Sequence, residues 1–210
     1  MLRAVGISAA VLLVLGALPG SITRADDPIV RVEEDWEIKV KLPDNDVTAP
    51  QIITSFSPLE NLAGIHATFE INHIASVDFA SGGLHLSTWC GETHLAVIHA
   101  GNFASMLTDG EIVRWTQALE VKDDQLIVEI RNGTSATWGT FGTEGTLRLS
   151  LSTTLQNLSA YRPIVSTANA EVSYAANRVQ SLLMRNVRYI HASGDVTSEN
   201  PQKYVHQSEE

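Results

Sequence analysis

Apolar and polar residues alternate with a period of two along most of the chain from Trp36 onward, and Gly, Pro, Asn or Asp bound each alternating run. The run from Trp36 to Leu42 is the clearest, with four apolar side chains on one face and three charged ones on the other. The same rhythm predicts about ten strands, at residues 36–42, 51–57, 65–74, 84–89, 94–99, 111–121, 125–132, 146–153, 171–174 and 179–190.

The connections between these strands indicate antiparallel sheets. Gly91-Glu92 and Lys122-Asp123-Asp124 are short enough for hairpins, and no strand is followed by an amphipathic helix of the kind that a parallel sheet needs. We therefore predict an all-β fold, an antiparallel two-sheet β-sandwich of jelly-roll type, with a β-barrel as the alternative. The capping-box pattern Ser57-Pro58-Leu59-Glu60 predicts one short helix that ends near Gly64.

The first 25 residues have the pattern of a cleavable signal peptide. Arg3 precedes an apolar stretch from Ala4 to Leu18, and small residues lead to a cleavage position after Ala25. The stretch is about 15 residues, shorter than the roughly 20 that cross a bilayer as a helix. The prediction is a secreted or periplasmic protein with no stable membrane anchor after cleavage, a β-sandwich domain over 26–192 and a polar C-terminal tail over 193–210.

Cleavage would leave 12 basic and 24 acidic residues, a net charge of −12. This charge excludes nucleic acid as an expected partner, because phosphates need basic residues to neutralise them. With Cys90 as its single cysteine, the chain forms no internal disulfide, so stability must come from the core, or from bound metal or assembly. Cys90 itself is expected to be a small buried apolar residue. The sequence does not indicate the oligomeric state.

The chain lacks the standard catalytic signatures, and we predict no catalytic residues. Asp35 and Glu37 share a strand face, but lysines continue that face, which favours a solvated charged surface over an acid–base pair. The clusters Asp44-Asn45-Asp46 and Asp123-Asp124 offer oxygen atoms that calcium could use, yet turn chemistry accounts for both. Calcium is thus the one cofactor considered, and no metal site is predicted.

Histidines cluster in one third of the chain, with five between His66 and His99. If Gly91-Glu92 is a two-residue turn with regular pairing beyond it, Trp89 lies opposite His94 and His85 opposite Ile98, and His99 points to the other face. His85 and His94 would then lie about 13 Å apart, too far for one metal ion.

If the face that carries Trp89 is in contact with water, its indole, flanked by His94 and His85, could stack on a sugar ring. The alternative is that these histidines are simply polar residues of half-exposed strands.

A second candidate is the Gly- and Thr-rich segment 133–146, which presents Trp138 and Phe141. A flexible, hydroxyl-rich loop with two aromatic residues suits ligand binding, and the alternative is that both aromatics fold back onto the core. The candidate ligand-binding residues are therefore Trp89, His94, His85, Trp138 and Phe141.

These features favour a secreted non-catalytic binding module, with extracellular carbohydrate as the first ligand class. A structural or assembly protein of the cell envelope or exterior is the alternative. A glycan-active hydrolase or lyase is the third hypothesis, based on the fold class alone.

Overall fold

The computed structural model describes residues 27–41, 50–72, 83–101, 106 and 108–208. The predicted signal peptide and the Asp44–Asp46 cluster lie outside these residues. The described chain forms thirteen strands and one short α-helix, besides a single 3-10 turn at Ala176–Arg178. They are β1 (Ile29–Val40), β2 (Gln51–Phe56), β3 (Ile65–Ile71), β4 (Leu84–Cys90), β5 (Thr93–Ala100), β6 (Ile112–Lys122), β7 (Gln125–Ser135), β8 (Gly139–Phe141), β9 (Arg148–Ser152), α1 (Pro163–Ala168), β10 (Glu171–Tyr174), β11 (Val179–His191), β12 (Val196–Glu199) and β13 (Lys203–Gln207).

The strands form two antiparallel sheets, which confirms the predicted β-sandwich. The larger sheet has the order β12-β11-β1-β6-β7-β8, with β13 also paired to β11 and β9 to β7. The smaller sheet has the order β10-β2-β3-β4-β5. The sheets do not close into a barrel, so the alternative architecture is wrong.

Aromatic side chains join the two sheets at the centre of the core. The alternation in β1 turns Trp36 inward, where its ring stacks on Trp115 of β6 with centroids 6.2 Å apart and an interplanar angle of 8°. Phe69 of the smaller sheet packs against Trp115 at 5.8 Å. All three are at most 2% exposed, so each sheet buries its apolar face against the other.

Glu34 is an exception to this apolar core, since it lies in phase with Trp36 and is 1% exposed. Its carboxylate accepts hydrogen bonds from Trp36 Nε1 (2.9 Å), Gln117 Nε2 (2.5 Å), Tyr161 Oη (2.5 Å) and Ser166 Oγ. Burial raises the pKa of Glu34 despite these four donors. Burial and the nearby Glu34 charge raise the pKa of Tyr161 well above its ordinary value.

The opposite face of β1 is charged, and here the predicted charged surface is organised into ion pairs. Arg188 bridges Glu33 (2.9 Å) and Asp35 (2.5 Å), and Arg114 pairs with Glu37 at 2.7 Å. Asp35 and Glu37 are thus occupied by arginines from neighbouring strands.

Segment 57–64 forms consecutive bends instead of the predicted helix. The Ser57 hydroxyl accepts a hydrogen bond from the Leu59 amide at 3.1 Å and donates one to the Asn61 carbonyl at 2.8 Å. Glu60, which would complete the capping box, pairs with Arg162 at 2.9 Å. Side-chain turns therefore take the backbone groups that a helix would use.

Two further expectations change. The predicted polar tail contributes β12 and β13, both paired to β11, so part of it belongs to the larger sheet. Cys90 is exposed, because it ends β4 at the tight turn, beyond the edge of the core. No helix in the described residues is long and apolar enough to cross a membrane.

Candidate functional site

The outer surface of the smaller sheet collects most of the histidines. Along β3 and β4, alternate residues such as Phe69 and Leu86 point into the core. The residues between them point outward. We call this outer surface the histidine face, and it consists of His66, Thr68, Glu70, His85, Ser87, Trp89, His94, Val97 and His99.

Trp89 and His94 form a fixed aromatic pair at one end of this face. They are partners in the β4–β5 register, as predicted, and their ring centroids lie 4.7 Å apart with an angle of 60°. Trp89 Nε1 donates a hydrogen bond to Thr68 Oγ1 at 2.7 Å. The indole is only half-buried. Its orientation is therefore set by the protein while part of the ring stays accessible to a ligand.

A β-bulge in β5 changes the pairing beyond Trp89. His94 pairs with Trp89 and Ala96 pairs with Thr88, so Leu95 has no partner in β4. One extra residue reverses the alternation of the rest of the strand. The predicted pairing of His85 with Ile98 is therefore wrong, because His85 pairs with His99.

The bulge brings His85 and His99 into contact at the other end of the histidine face. Their Nε2 atoms are 3.3 Å apart, and their ring centroids are separated by 4.0 Å with an interplanar angle of 39°. Glu70 of β3 is the register partner of His85 on its other side. In the described part of the chain, no group of three or more His, Cys, Asp or Glu residues is arranged to hold a metal ion.

Trp138 and Phe141 lie at the larger sheet, and the structure does not bring them to Trp89. Phe141 belongs to β8 and is 5% exposed. Trp138 packs against the core and meets Phe141 edge to face at 6.0 Å. Phe141 is thus a core residue and Trp138 is half-buried against the core, and ligand binding by either residue stays a prediction.

Glu111 fixes the turn that carries these aromatics. Its carboxylate accepts hydrogen bonds from Ser135 Oγ (2.5 Å), the Thr137 amide (2.8 Å) and Thr137 Oγ1 (2.6 Å). Glu111 is 3% exposed, and its role was not recognised from the sequence because its hydrogen-bond donors lie 24 and 26 residues further along the chain. The hydroxyl groups here serve the fold.

A second surface feature lies on the outer face of the larger sheet. A depression of about 720 Å³ is lined by charged residues that include Arg31, Glu120 and Arg131. These groups already pair with one another and with Glu33, at 3.4 Å for Arg31–Glu120 and 3.2 Å for Arg131–Glu33. A ligand would have to displace these ion pairs, so this depression is the weaker candidate despite its size.

No known family model matches the chain, and no curated protein is significantly similar to it in sequence.

Proposed function

We propose that this protein is a secreted, non-catalytic β-sandwich module that binds carbohydrate on the histidine face. The observation that carries the proposal is the half-exposed Trp89 ring, held by the Thr68 hydrogen bond and by His94. An oriented aromatic ring beside polar groups provides a surface for the C–H face of a sugar and partners for its hydroxyl groups.

The histidine face suits an oligosaccharide better than a single sugar. Trp89 and His85 are four residues apart on β4, a separation of roughly 13 Å at the strand rise. Between them lies the half-buried hydroxyl group of Thr68, with imidazoles from neighbouring strands at both ends, while Ser87 in the same row is only 2% exposed and offers no hydroxyl group to a ligand. A chain that stacks on Trp89 could therefore continue toward His85 across a flat polar surface.

The contacts at the start of the described chain are compatible with the proposal that the protein is secreted after cleavage of a signal peptide. Asp27 accepts hydrogen bonds from the amide of Ser193 at 3.1 Å and from its hydroxyl at 2.5 Å. These contacts lie beyond a cleavage position after Ala25, so cleavage there would retain them.

Glycan binding can be tested with the purified protein on a glycan array, followed by affinity electrophoresis with the polysaccharides that bind. Trp89→Ala should lower the affinity at least tenfold, because the stacking surface is lost, whereas Trp89→Phe should retain part of it. Tyr204→Ala is the matched control, since Tyr204 is an aromatic residue 52% exposed on β13 of the larger sheet. Binding that is unchanged in a folded Trp89→Ala variant would contradict the proposal.

Assembly through β5 is the second candidate function. Among the strands described, β5 has a neighbour on one side only, and Leu95 and Val97 are 45% and 37% exposed. An accessible strand edge with apolar side chains can pair with another chain. Sedimentation velocity would show a self-associating wild type and a monomeric Val97→Lys variant. A wild type that remains monomeric at high concentration would exclude self-assembly.

A further inference from the structure

We propose that His85 and His99 form a binding site for a divalent transition-metal ion of the zinc type, with the two Nε2 atoms as ligands. The site lies at the end of the histidine face opposite Trp89, where a sugar chain stacked on Trp89 would end, and metal binding there does not depend on sugar binding. It was not expected from the sequence, because regular pairing would place the two imidazoles on opposite faces of the hairpin.

The distance between the two nitrogens fits coordination. A tetrahedral zinc ion with Zn–N bonds of about 2.0–2.1 Å holds two nitrogen ligands about 3.3–3.4 Å apart. The observed Nε2–Nε2 distance is 3.3 Å. The ring centroids, now 4.0 Å apart, would have to separate to about 5 Å for both nitrogens to point at one ion, so the two side chains must rotate while the strands that carry them stay in place.

The backbone holds this pair in place. His85 and His99 are direct partners on adjacent antiparallel strands, and the pairs on either side of them, Leu86–Ile98 and Leu84–Ala100, keep the same register. Leu84 and Leu86 are buried in the core at 1% and 0% exposure. The two imidazoles therefore project from a rigid part of the sheet, which reduces the entropy lost on binding.

The charge around the pair also favours a cation. The chain has no lysine or arginine between residues 42 and 113, a segment that includes all of β2 to β5. Glu70, the register partner of His85, is the nearest carboxylate along that row of the sheet. Imidazole is a good ligand for zinc and copper. Water would complete the coordination shell of an ion held by two protein ligands.

The test is isothermal titration calorimetry of the full protein, freed of metal by a chelator, with zinc chloride. We expect one zinc ion per chain. His85→Gln and His99→Gln should each weaken binding at least tenfold, because each removes one of the two ligands. His94→Gln is the control, since it changes an exposed histidine of the same hairpin at the Trp89 end and should bind zinc as the wild type does.

Circular dichroism establishes that each variant is folded, and the nitrogen chemical shifts of the imidazoles provide a second measurement. Zinc should shift the His85 and His99 ring signals in the wild type and leave those of His94 unchanged. Absence of saturable binding would show that the two rings only share a hydrogen bond and would overturn the proposal. Wild-type affinity in either folded glutamine variant would overturn it equally.

Discussion

Glu34 is the residue whose environment departs most from its chemistry. A carboxylate that is 1% exposed with no cation among its hydrogen-bond partners would be very costly if its oxygens were unpaired. Four donors from β1, β6 and the segment around α1 surround it, so Glu34 joins two strands of the larger sheet to the helix. We infer that its role is to fix the position of α1 against the sheet.

Replacing Glu34 should therefore lower the free energy of unfolding strongly, by an amount that depends on the chemistry of the new side chain. Glu34→Leu leaves several buried donors without an acceptor, at about 1–3 kcal/mol each, so we expect a loss of at least about 3 kcal/mol in the free energy of unfolding. Glu34→Gln keeps the shape and one acceptor, and should lose less. Urea unfolding at pH 7 measures both. Wild-type stability in Glu34→Leu would contradict the role inferred here.

A comparison of the wild type with the Glu34→Gln variant also tests the pKa of Glu34. Because burial raises this pKa in the folded state, the native protein binds more protons than the unfolded chain above about pH 4.3. The contribution of Glu34 is thus fully present below that pH and decreases as pH rises through its folded pKa. The stability of the wild type relative to Glu34→Gln should fall with increasing pH, and a difference independent of pH would show that the pKa is not raised.

At the scale of elements, the bulge in β5 decides what the histidine face contains. It points Ala96, Ile98 and Ala100 toward the core and leaves His99 beside His85. Regular pairing would instead put His99 on the core side, where a polar ring would lose water without a partner. A single unpaired residue, Leu95, therefore decides whether His99 lies beside His85 on the outer surface or faces the core.

Deleting Leu95 should either restore regular pairing between β4 and β5, with His99 turned toward the core, or destabilise the sheet. We expect a loss of about 1–3 kcal/mol, since His99 or the hairpin register must adjust. Leu95→Ala keeps the bulge, and because Leu95 is 45% exposed it should change stability by less than about 0.5 kcal/mol. Thermal unfolding compares the two. A deletion as stable as Leu95→Ala, with the His85–His99 contact retained in its NMR spectrum, would contradict this account.

The bulge also shows where sequence reasoning stops. Ten of the thirteen strands and both hairpins could be predicted, because period-two alternation and turn residues are local signals. Asp123 and Asp124 adopt the positive φ angles of 50° and 58° that such a turn uses. The contact between Trp89 and His94 followed from the turn length. The bulge at Leu95 has no local signature, so the pairing of His85 with His99 could not be predicted.

Other features of the structure could not be predicted because they also leave no local signal in the sequence. The strands β12 and β13 are only four and five residues long and mostly exposed, so they lack the alternation of a strand with one buried face. The inward direction of Glu34 could have been inferred from its phase with Trp36, but its hydrogen-bond donors Tyr161 and Ser166 are distant in the sequence. Long-range polar contacts of this kind leave no periodic pattern.

For the whole molecule, the two outer surfaces have different chemistry. The larger sheet carries arginines matched to carboxylates, with its ion pairs spread over β11, β1, β6 and β7. The smaller sheet contains no basic residue besides histidine in β2 to β5 and presents imidazoles, hydroxyl groups and an indole. The charges of the larger sheet pair with one another, whereas the smaller sheet exposes imidazole rings and part of an indole. This asymmetry is the reason to place function on the smaller sheet.

The proposed binding module would meet its ligand outside the cell, and the predicted export of the chain can be tested directly. Expressed with its own N-terminus in a bacterial host, the protein should be recovered from the periplasm or medium with Asp26 as its first residue, shown by intact mass. Ala25→Trp should block this processing, because signal peptidase requires a small residue at that position. A mature protein that retains residues 1–25 in a cytoplasmic fraction would contradict export. Cleavage far beyond Asp27 would contradict the structure, because it would remove the hydrogen bonds that Asp27 accepts from Ser193 and then the first residues of β1.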